Sequence, residues 1–465
     1  MATINLSGID IGIIVVYFLM LLFIGYIVKK KIKGINDYFL AGRRLTLPIF
    51  VATLVSTWYG GLLGVGELSF NYGIVNWLTQ GFFWYLSYLF FAFFLANRIR
   101  KSNLYTIPDL LEKFYDKKSR FLGAIFNFIM VTPAPYILSL GIIFSLLFGW
   151  PAWIGIIIGT LVGLIYTLRG GFLGVVLTDF LQFFLMCTSV ALIIPFAISK
   201  FGGFAFLKAN LPATHFTLTG TWTTQMIIVW GFIALWTLVD PGFYQRCYAA
   251  KDSKLPKKGV LIAIIFWVLF DVCTTFTGMY ARAAMPNIGP LTAYPVFAAA
   301  VLPIFLKGIF FTGVLATIMS TIDSFTFLGA MAIGHDLYKK IFNPKASEKS
   351  VIIATKIGII ITTCFALALA LFFDSIVSMW YTIGTIGISA MLVPMMAGFF
   401  CKKKSSLASF WSMIIGSLTS ILWLANGWIN MYEGWPTYIW GIEPLYPGLL
   451  VSLIVFTIIT IFDKK

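Results

Sequence analysis

Charge is scarce in this chain, and negative charge scarcer still. Only 11% of the 465 residues are charged, with 17 Asp and Glu against 33 Lys and Arg. Histidine is confined to His215 and His335, which leaves little for imidazole-based metal or acid–base chemistry. The five cysteines (Cys187, Cys247, Cys273, Cys364, Cys401) have no CxxC spacing, and most lie in apolar runs. They read as small buried hydrophobes, not as disulfides or metal ligands. No nucleophile–base pairing or cluster of metal ligands stands out, so an enzyme is not expected.

What the chain has instead is hydrophobic length: 60% of its residues are hydrophobic, a membrane composition. Apolar runs fall at 9–29, 46–72, 75–97, 121–148, 151–168, 172–198, 223–245, 258–281, 306–334, 351–373, 376–400, 406–426 and 446–462. They predict an all-α membrane protein of about thirteen transmembrane helices. Most runs reach the roughly 20 residues a crossing needs; 151–168 and 446–462 are marginal. The first run is followed, not preceded, by its positive charges and shows no small-residue cleavage site. It is expected to be a retained helix and not a signal peptide. Of the 33 basic residues, 29 fall in alternate loops, the exceptions being Lys200, Lys208, Arg282 and Lys307. Those loops are expected to be cytoplasmic, with the N-terminus outside and the C-terminus inside. The net charge of +16 is thereby a topology signal, and nucleic-acid binding is not needed to explain it. The loop near 427–445 carries Glu433 and Glu443 with Trp428, Trp435 and Trp440, as an outer interfacial belt would.

Three features interrupt the apolar pattern. The first is Thr312–Ser324, where Thr317, Ser320, Thr321 and Ser324 follow an i, i+3, i+4, i+7 spacing and share one helix face bordered by Asp323. Hydroxyl oxygens in a membrane helix suit a hard cation, although close helix packing by small residues is the alternative. The second is a pair of helix breakers: Ser56-Thr57-Trp58-Tyr59-Gly60-Gly61 inside the second run and Val239-Asp240-Pro241-Gly242 near the end of the seventh. Glycine weakens a helix and proline removes a donor, and freed backbone at membrane depth is tolerated where it lines a cavity. Breaks at matching positions of two halves point to an inverted-repeat transporter with a site near the midplane. The third is a set of embedded acids, Asp179, Asp240, Asp271 and Asp323. Each is a functional candidate because basic partners are nearly absent at that depth, which leaves cations from solution. Asp271 has no evident partner.

The chain resembles the sodium:solute symporter family from Asp37-Tyr38-Phe39-Leu40-Ala41-Gly42-Arg43 through Thr106-Ile107-Pro108-Asp109, Gly170-Gly171…Thr178-Asp179…Gln182 and Gln245-Arg246. The likeness continues through Met319-Ser320-Thr321-Ile322-Asp323-Ser324 to His335-Asp336-Leu337-Tyr338. The likeness is to bacterial choline- and proline-type members. It implies a LeuT-type fold: an extra N-terminal helix at 9–29, inverted five-helix repeats at 46–198 and 223–400, and two C-terminal helices at 406–462. It also implies a sodium site at the Ser56, Tyr59 and Thr317 carbonyls and the Ser320 and Thr321 hydroxyls. A second sodium site, found in some members, corresponds to Asp179, Ser320, Asp323 and Ser324, so one or two ions are expected. Asp at 323, where Ser is common, leaves proton coupling open.

Solute contacts transfer less well. Trp58 resembles the Trp of choline-type members, whereas Asp240 stands where those members have an aromatic residue. A Trp face beside a carboxylate would suit an organic ammonium group; the alternative is that Trp58 packs against neighbours and Asp240 caps the broken helix. The Gly60-Gly61 backbone, Gln80, Trp84 and Tyr136 are the other candidates for the cavity wall. The expectation is a sodium-coupled symporter of a small organic solute, working as a monomer in a bacterial cytoplasmic membrane. Its rivals are a proton-coupled transporter of the same fold and a solute sensor. The sensor is less expected because no cytoplasmic domain follows Asp463-Lys464-Lys465.

Overall fold

In the computed structural model the described residues are 4–29, 32–373, 375–432 and 435–463. Glu433 and the basic residues Lys30, Lys31, Lys464 and Lys465 invoked above lie outside them. Helix dominates because hydrocarbon offers backbone groups no partner but one another. In chain order come α1 (Gly8–Lys29), a bent pair α2 (Leu47–Trp58) and α3 (Leu62–Tyr72), then α4 (Trp77–Lys101) and the short amphipathic α5 (Ile107–Phe114). There follow α6 (Lys117–Met130), α7 (Ala134–Phe148), α8 (Ala152–Phe201), α9 (Thr224–Ile233), α10 (Pro241–Ala249) and α11 (Leu255–Ala284). The remainder are α12 (Pro290–Val301), α13 (Leu306–Phe342), α14 (Glu348–Phe372), α15 (Ile376–Phe400), α16 (Ser406–Ile429) and α17 (Leu445–Phe462). The only paired strands among the described residues are Met431–Tyr432 and Trp435–Pro436, an antiparallel hairpin.

Among the described residues eleven helices are long and apolar enough to cross a membrane, or twelve when α2 and α3 count as one span. The run 151–168 contributes only the shorter apolar stretch Ala152–Leu161, so the expected total of thirteen rests on that marginal run. It belongs to α8, whose 50 residues would extend about 75 Å if straight, against a hydrocarbon core of about 30 Å. The helix breaks direction at Gly171 (φ 53°, ψ −159°), where an added Cβ would lie 2.5 Å from the Tyr38 ring. Only glycine meets both demands.

Both expected breaks are present. α2 and α3 meet at 58° across Tyr59–Gly61, outside regular helix. α9 tightens into a 3₁₀ turn at Ala234–Val239, and Asp240 is extended (φ −77°, ψ 119°) before Pro241 opens α10. α13 is the centre of the molecule. Its most apolar stretch is wholly buried, whereas those of α1 and α17 are mostly exposed, as for helices that face lipid. α8 packs along α13, α1 lies against both, and α2 crosses near the α13 serines.

Candidate functional site

The α13 stripe and the first break meet. Thr317, Ser320 and Thr321 are fully buried. Because α2 stops at Trp58, the carbonyls of its last turn lack onward helical partners. The Ser320 hydroxyl lies 2.9 Å from the Ser56 carbonyl and 2.9 Å from the Thr317 carbonyl, bridging the two helices. Thr321 Oγ1 is 3.3 Å from the same Thr317 carbonyl. The Thr317 hydroxyl is turned away to the Gly313 carbonyl (2.7 Å), so its carbonyl is the atom that faces the cluster. Gly60 makes the approach feasible: a Cβ there would sit 2.2 Å from Thr321 Oγ1. Ser56, Thr317, Ser320 and Thr321 are thus gathered into neutral oxygens of the kind a hard cation takes. Tyr59 follows α2 as its C-cap, and its side chain leads elsewhere, to Asp271 and Thr274.

A second polar cluster lies deeper along α2. Asp179 on α8 accepts from Thr53 (2.5 Å) and Thr57 (3.3 Å), and Thr57 Oγ1 is 2.9 Å from Ser324 Oγ. Asp179 is not short of a basic partner: Arg246 is fully buried, with its Nη2 3.5 Å from Asp179 Oδ2. The same nitrogen donates to Thr57 (2.7 Å) and Ser324 (2.7 Å), and the guanidinium lies over the Phe172 ring at 5.2 Å. Its fixed charge stands among Asp179, Thr57 and Ser324. Asp323 is buried on α13 beside Ser324. In the loop tally Arg246 counted as cytoplasmic, yet α10 restarts at Pro241 and carries it inwards. The signal available in the sequence was its place within the helix that the second break begins.

A cavity of about 90 Å³ opens beside the first break. Of the expected wall, Trp58, Gly61, Gln80, Trp84 and Tyr136 line it, and Tyr59 joins them. Gly61 matters for shape, since a Cβ there would fall 2.0 Å from the Trp380 ring. Gly60 and Asp240 are not in the lining. Asp240 caps α10, accepting from the Phe243 N–H at 3.0 Å, which is the capping alternative in geometric form. Trp58 packs edge-on against Trp84 (5.5 Å) and Phe243 (5.2 Å) and donates to the Tyr88 hydroxyl. Residues not anticipated complete the wall, chiefly Tyr88, Trp236, Trp267 and Trp380, together with the embedded acid Asp271, which was not expected there. Asp271 has partners that its sequence context did not suggest, the hydroxyls of Tyr59 (2.9 Å) and Tyr85 (2.5 Å).

A third cluster joins α5, α6 and the end of α13. Arg120 pairs with Asp109 (2.5 Å), Asp336 (3.3 Å) and Glu112, while His335 Nε2 lies 3.2 Å from Asp109. Burial alone would raise the Asp109 carboxyl, but His335 and Arg120 hold it below the usual carboxylate range. Asp109, His335 and Asp336 are close enough to share a metal ion, yet the Arg120 guanidinium already pairs with both carboxylates. An ion-pair latch is the simpler chemistry.

The sodium:solute symporter family model matches residues 38–416. The osmoregulated proline transporter OpuE of Bacillus subtilis is 27% identical over 97% of this chain and 94% of its own length. The sodium/proline symporter of Escherichia coli is 25% identical over 92% and 90%. High-affinity choline transporter 1 of Drosophila melanogaster is 27% identical over 81% of this chain and 64% of its own length. Among solved structures, a Na+-coupled sialic acid symporter in a substrate-bound, outward-open state superposes with a TM-score of 0.81 at 18% identity, covering 99% of both chains. A closed nucleobase-cation-symport-1 family transporter follows with a TM-score of 0.54 at 12% identity, covering 91% and 93%. The fold is therefore the LeuT-type helical architecture of such symporters, with its broken helices at the site. With the family model spanning most of its length, the chain belongs to the sodium:solute symporter family: it is a multi-pass membrane transporter, not an enzyme, and couples the movement of a small solute to sodium.

Proposed function

We propose that the chain imports a small organic solute together with one sodium ion, by alternating access between repeats at 46–198 and 223–400. The observation that carries this reading is the Ser320 hydroxyl held 2.9 Å from both the Ser56 and Thr317 carbonyls. A sodium ion between these oxygens and Thr321 would tie the broken helix to α13 and so fix Tyr59 and Gly61 in the wall of the solute cavity. Sodium binding thereby shapes the solute site, which is coupling in structural terms. The Arg246 guanidinium among Asp179, Thr57 and Ser324 supports a single ion in this conformation, because a second cation there would meet a fixed positive charge. Each charge moved across 100 mV contributes about 2.3 kcal/mol, so one ion supports about fiftyfold accumulation from voltage alone.

The distribution of basic residues supports an outside N-terminus and an inside C-terminus in a bacterial cytoplasmic membrane. A monomer suffices, since the Ser320–Thr321 oxygens, the Asp179 cluster and the cavity are each built from one chain. The test is uptake into proteoliposomes of a radiolabelled panel of amino acids, organic amines, sugars and carboxylates. Uptake of at least one solute is expected to collapse when external sodium is replaced by potassium at constant voltage. Uptake driven equally well by a proton gradient without sodium sinks the reading.

A further inference from the structure

Among the described residues the central cavity has a single charged group in its wall, Asp271 on α11. Its Oδ1 accepts from Tyr59 and its Oδ2 from Tyr85, so two neutral phenols hold the carboxylate in place without offsetting its charge. No Lys or Arg lines the cavity, and no ion pair to Asp271 occurs among the described residues. The buried cation Arg246 is engaged with Asp179 instead. Around Asp271 the wall is aromatic, with Trp58, Trp84, Tyr88, Tyr136, Trp267 and Trp380. Ring faces attract cations, and a carboxylate desolvated in such a place is costly unless a cation meets it.

A second cavity makes the same selection independently. It is larger, about 520 Å³, and Trp230 lines both. Its two charged groups are Glu67 and Glu443, again with no basic side chain among its described lining. Glu443 accepts from Tyr381, while the buried Glu67 Oε2 has no partner among the described residues. The two linings together hold three carboxylates and, among the described residues, no Lys or Arg. Low-dielectric walls of one sign concentrate counter-ions.

We propose that the solute is a small organic cation whose ammonium charge is met by Asp271 inside the aromatic cavity. The inference rests on the symport reading and narrows it. A solute carboxylate would find no cationic side chain in the described wall, only backbone N–H groups at the start of α3, whereas an ammonium finds Asp271 and ring faces, so a cation is favoured over an amino-acid zwitterion. Size is limited as well: one water fills about 10–15 Å³ of such space, so the cavity of about 90 Å³ admits about six to nine atoms of that size.

The test uses the purified full-length protein, reading thermal midpoint and tryptophan fluorescence in sodium and in potassium buffer. The probes are tetramethylammonium, choline and agmatine as cations, 3,3-dimethylbutan-1-ol as the neutral isostere of choline, and glycine betaine and L-proline as zwitterions. In sodium at least one cation is expected to bind, and neither the neutral isostere nor the zwitterions to match it. Asp271→Asn is expected to weaken that cation at least about thirtyfold, the lower end for removing one partner of a buried, hydrogen-bonded charge pair. A cooperative thermal transition in this variant, in the absence of solute, shows that it has folded. If it does not fold, the wild-type ranking of cation, isostere and zwitterion decides. The proposal is overturned if no cation binds, if a zwitterion or neutral solute binds better, or if Asp271→Asn leaves cation affinity unchanged. A wild-type protein with no response to sodium alone overturns the symport reading and this inference with it; a sodium response without cation preference overturns only the inference.

Discussion

Gly60 and Gly61 are neighbours in sequence, yet their substitution should damage different sites. A Cβ at residue 60 would lie 2.2 Å from Thr321 Oγ1, 2.5 Å from Thr321 Cβ and 3.0 Å from the Tyr136 ring. Because the Thr321 Cβ is itself part of the clash, no rotamer change at Thr321 relieves it. The break must move off α13, pulling the Ser56 carbonyl from Ser320. Overpacking of this kind costs about 1–3 kcal/mol, equivalent to about 5- to 150-fold in affinity. Gly60→Ala is therefore expected to raise the sodium concentration giving half the thermal shift by about that factor. In Gly61→Ala the added methyl would strike the Trp380 ring at 2.0 Å, on the cavity side. That variant is expected to lose solute affinity while its sodium midpoint stays within about threefold of wild type, since its clash is with the cavity wall alone. Titration of both purified variants with sodium, followed by thermal unfolding, separates the two. An unchanged sodium midpoint in a folded Gly60→Ala protein, or the same loss in both variants, would refute the reasoning.

Two further perturbations follow from the buried charges. Arg246→Ala leaves Asp179 uncompensated in the interior, an expected loss of about 3–5 kcal/mol, and adding Asp179→Asn should recover part of it. Thermal unfolding of the single and double variants checks this, and additive losses would contradict a direct pair. Asp109 is held below the ordinary carboxylate range, so it stabilises the folded protein fully above a pH of about 3.9 and loses that contribution as pH falls through its lowered value. Asp109→Asn is expected to flatten the acid limb of the stability–pH curve; an unaltered acid limb would mean that Asp109 does not set it.

The two breaks were legible because Gly-Gly and Asp-Pro-Gly are strong local signals that a membrane context cannot hide. The Ser and Thr stripe of α13 stood out for the same reason, as hydroxyls in an otherwise apolar run. Arg246 was not legible as a buried partner. Loop counting placed it in the cytoplasm, and only the restart of helix at Pro241 turns it towards Asp179, 67 positions earlier in the chain. Asp271 was recognisable as anomalous but not as clamped, because Tyr59 and Tyr85 are 212 and 186 positions away. Trp236, Trp267 and Trp380 lie in apolar helices where a cavity-lining tryptophan reads the same as a packing one. Asp240 was the reverse case: its Asp-Pro context already carried the capping role that the geometry displays.

The claim on which the rest depends is that sodium joins the broken helix to α13 through Ser320 and Thr321. Its most direct measurement is the sodium-dependent thermal shift of the purified wild type against Ser320→Ala, Thr321→Ala and the double variant, with potassium as the reference cation. A sodium-specific shift is expected in the wild type, a weakened one in each single variant and none in the double variant. Full sodium affinity in a folded double variant would contradict it.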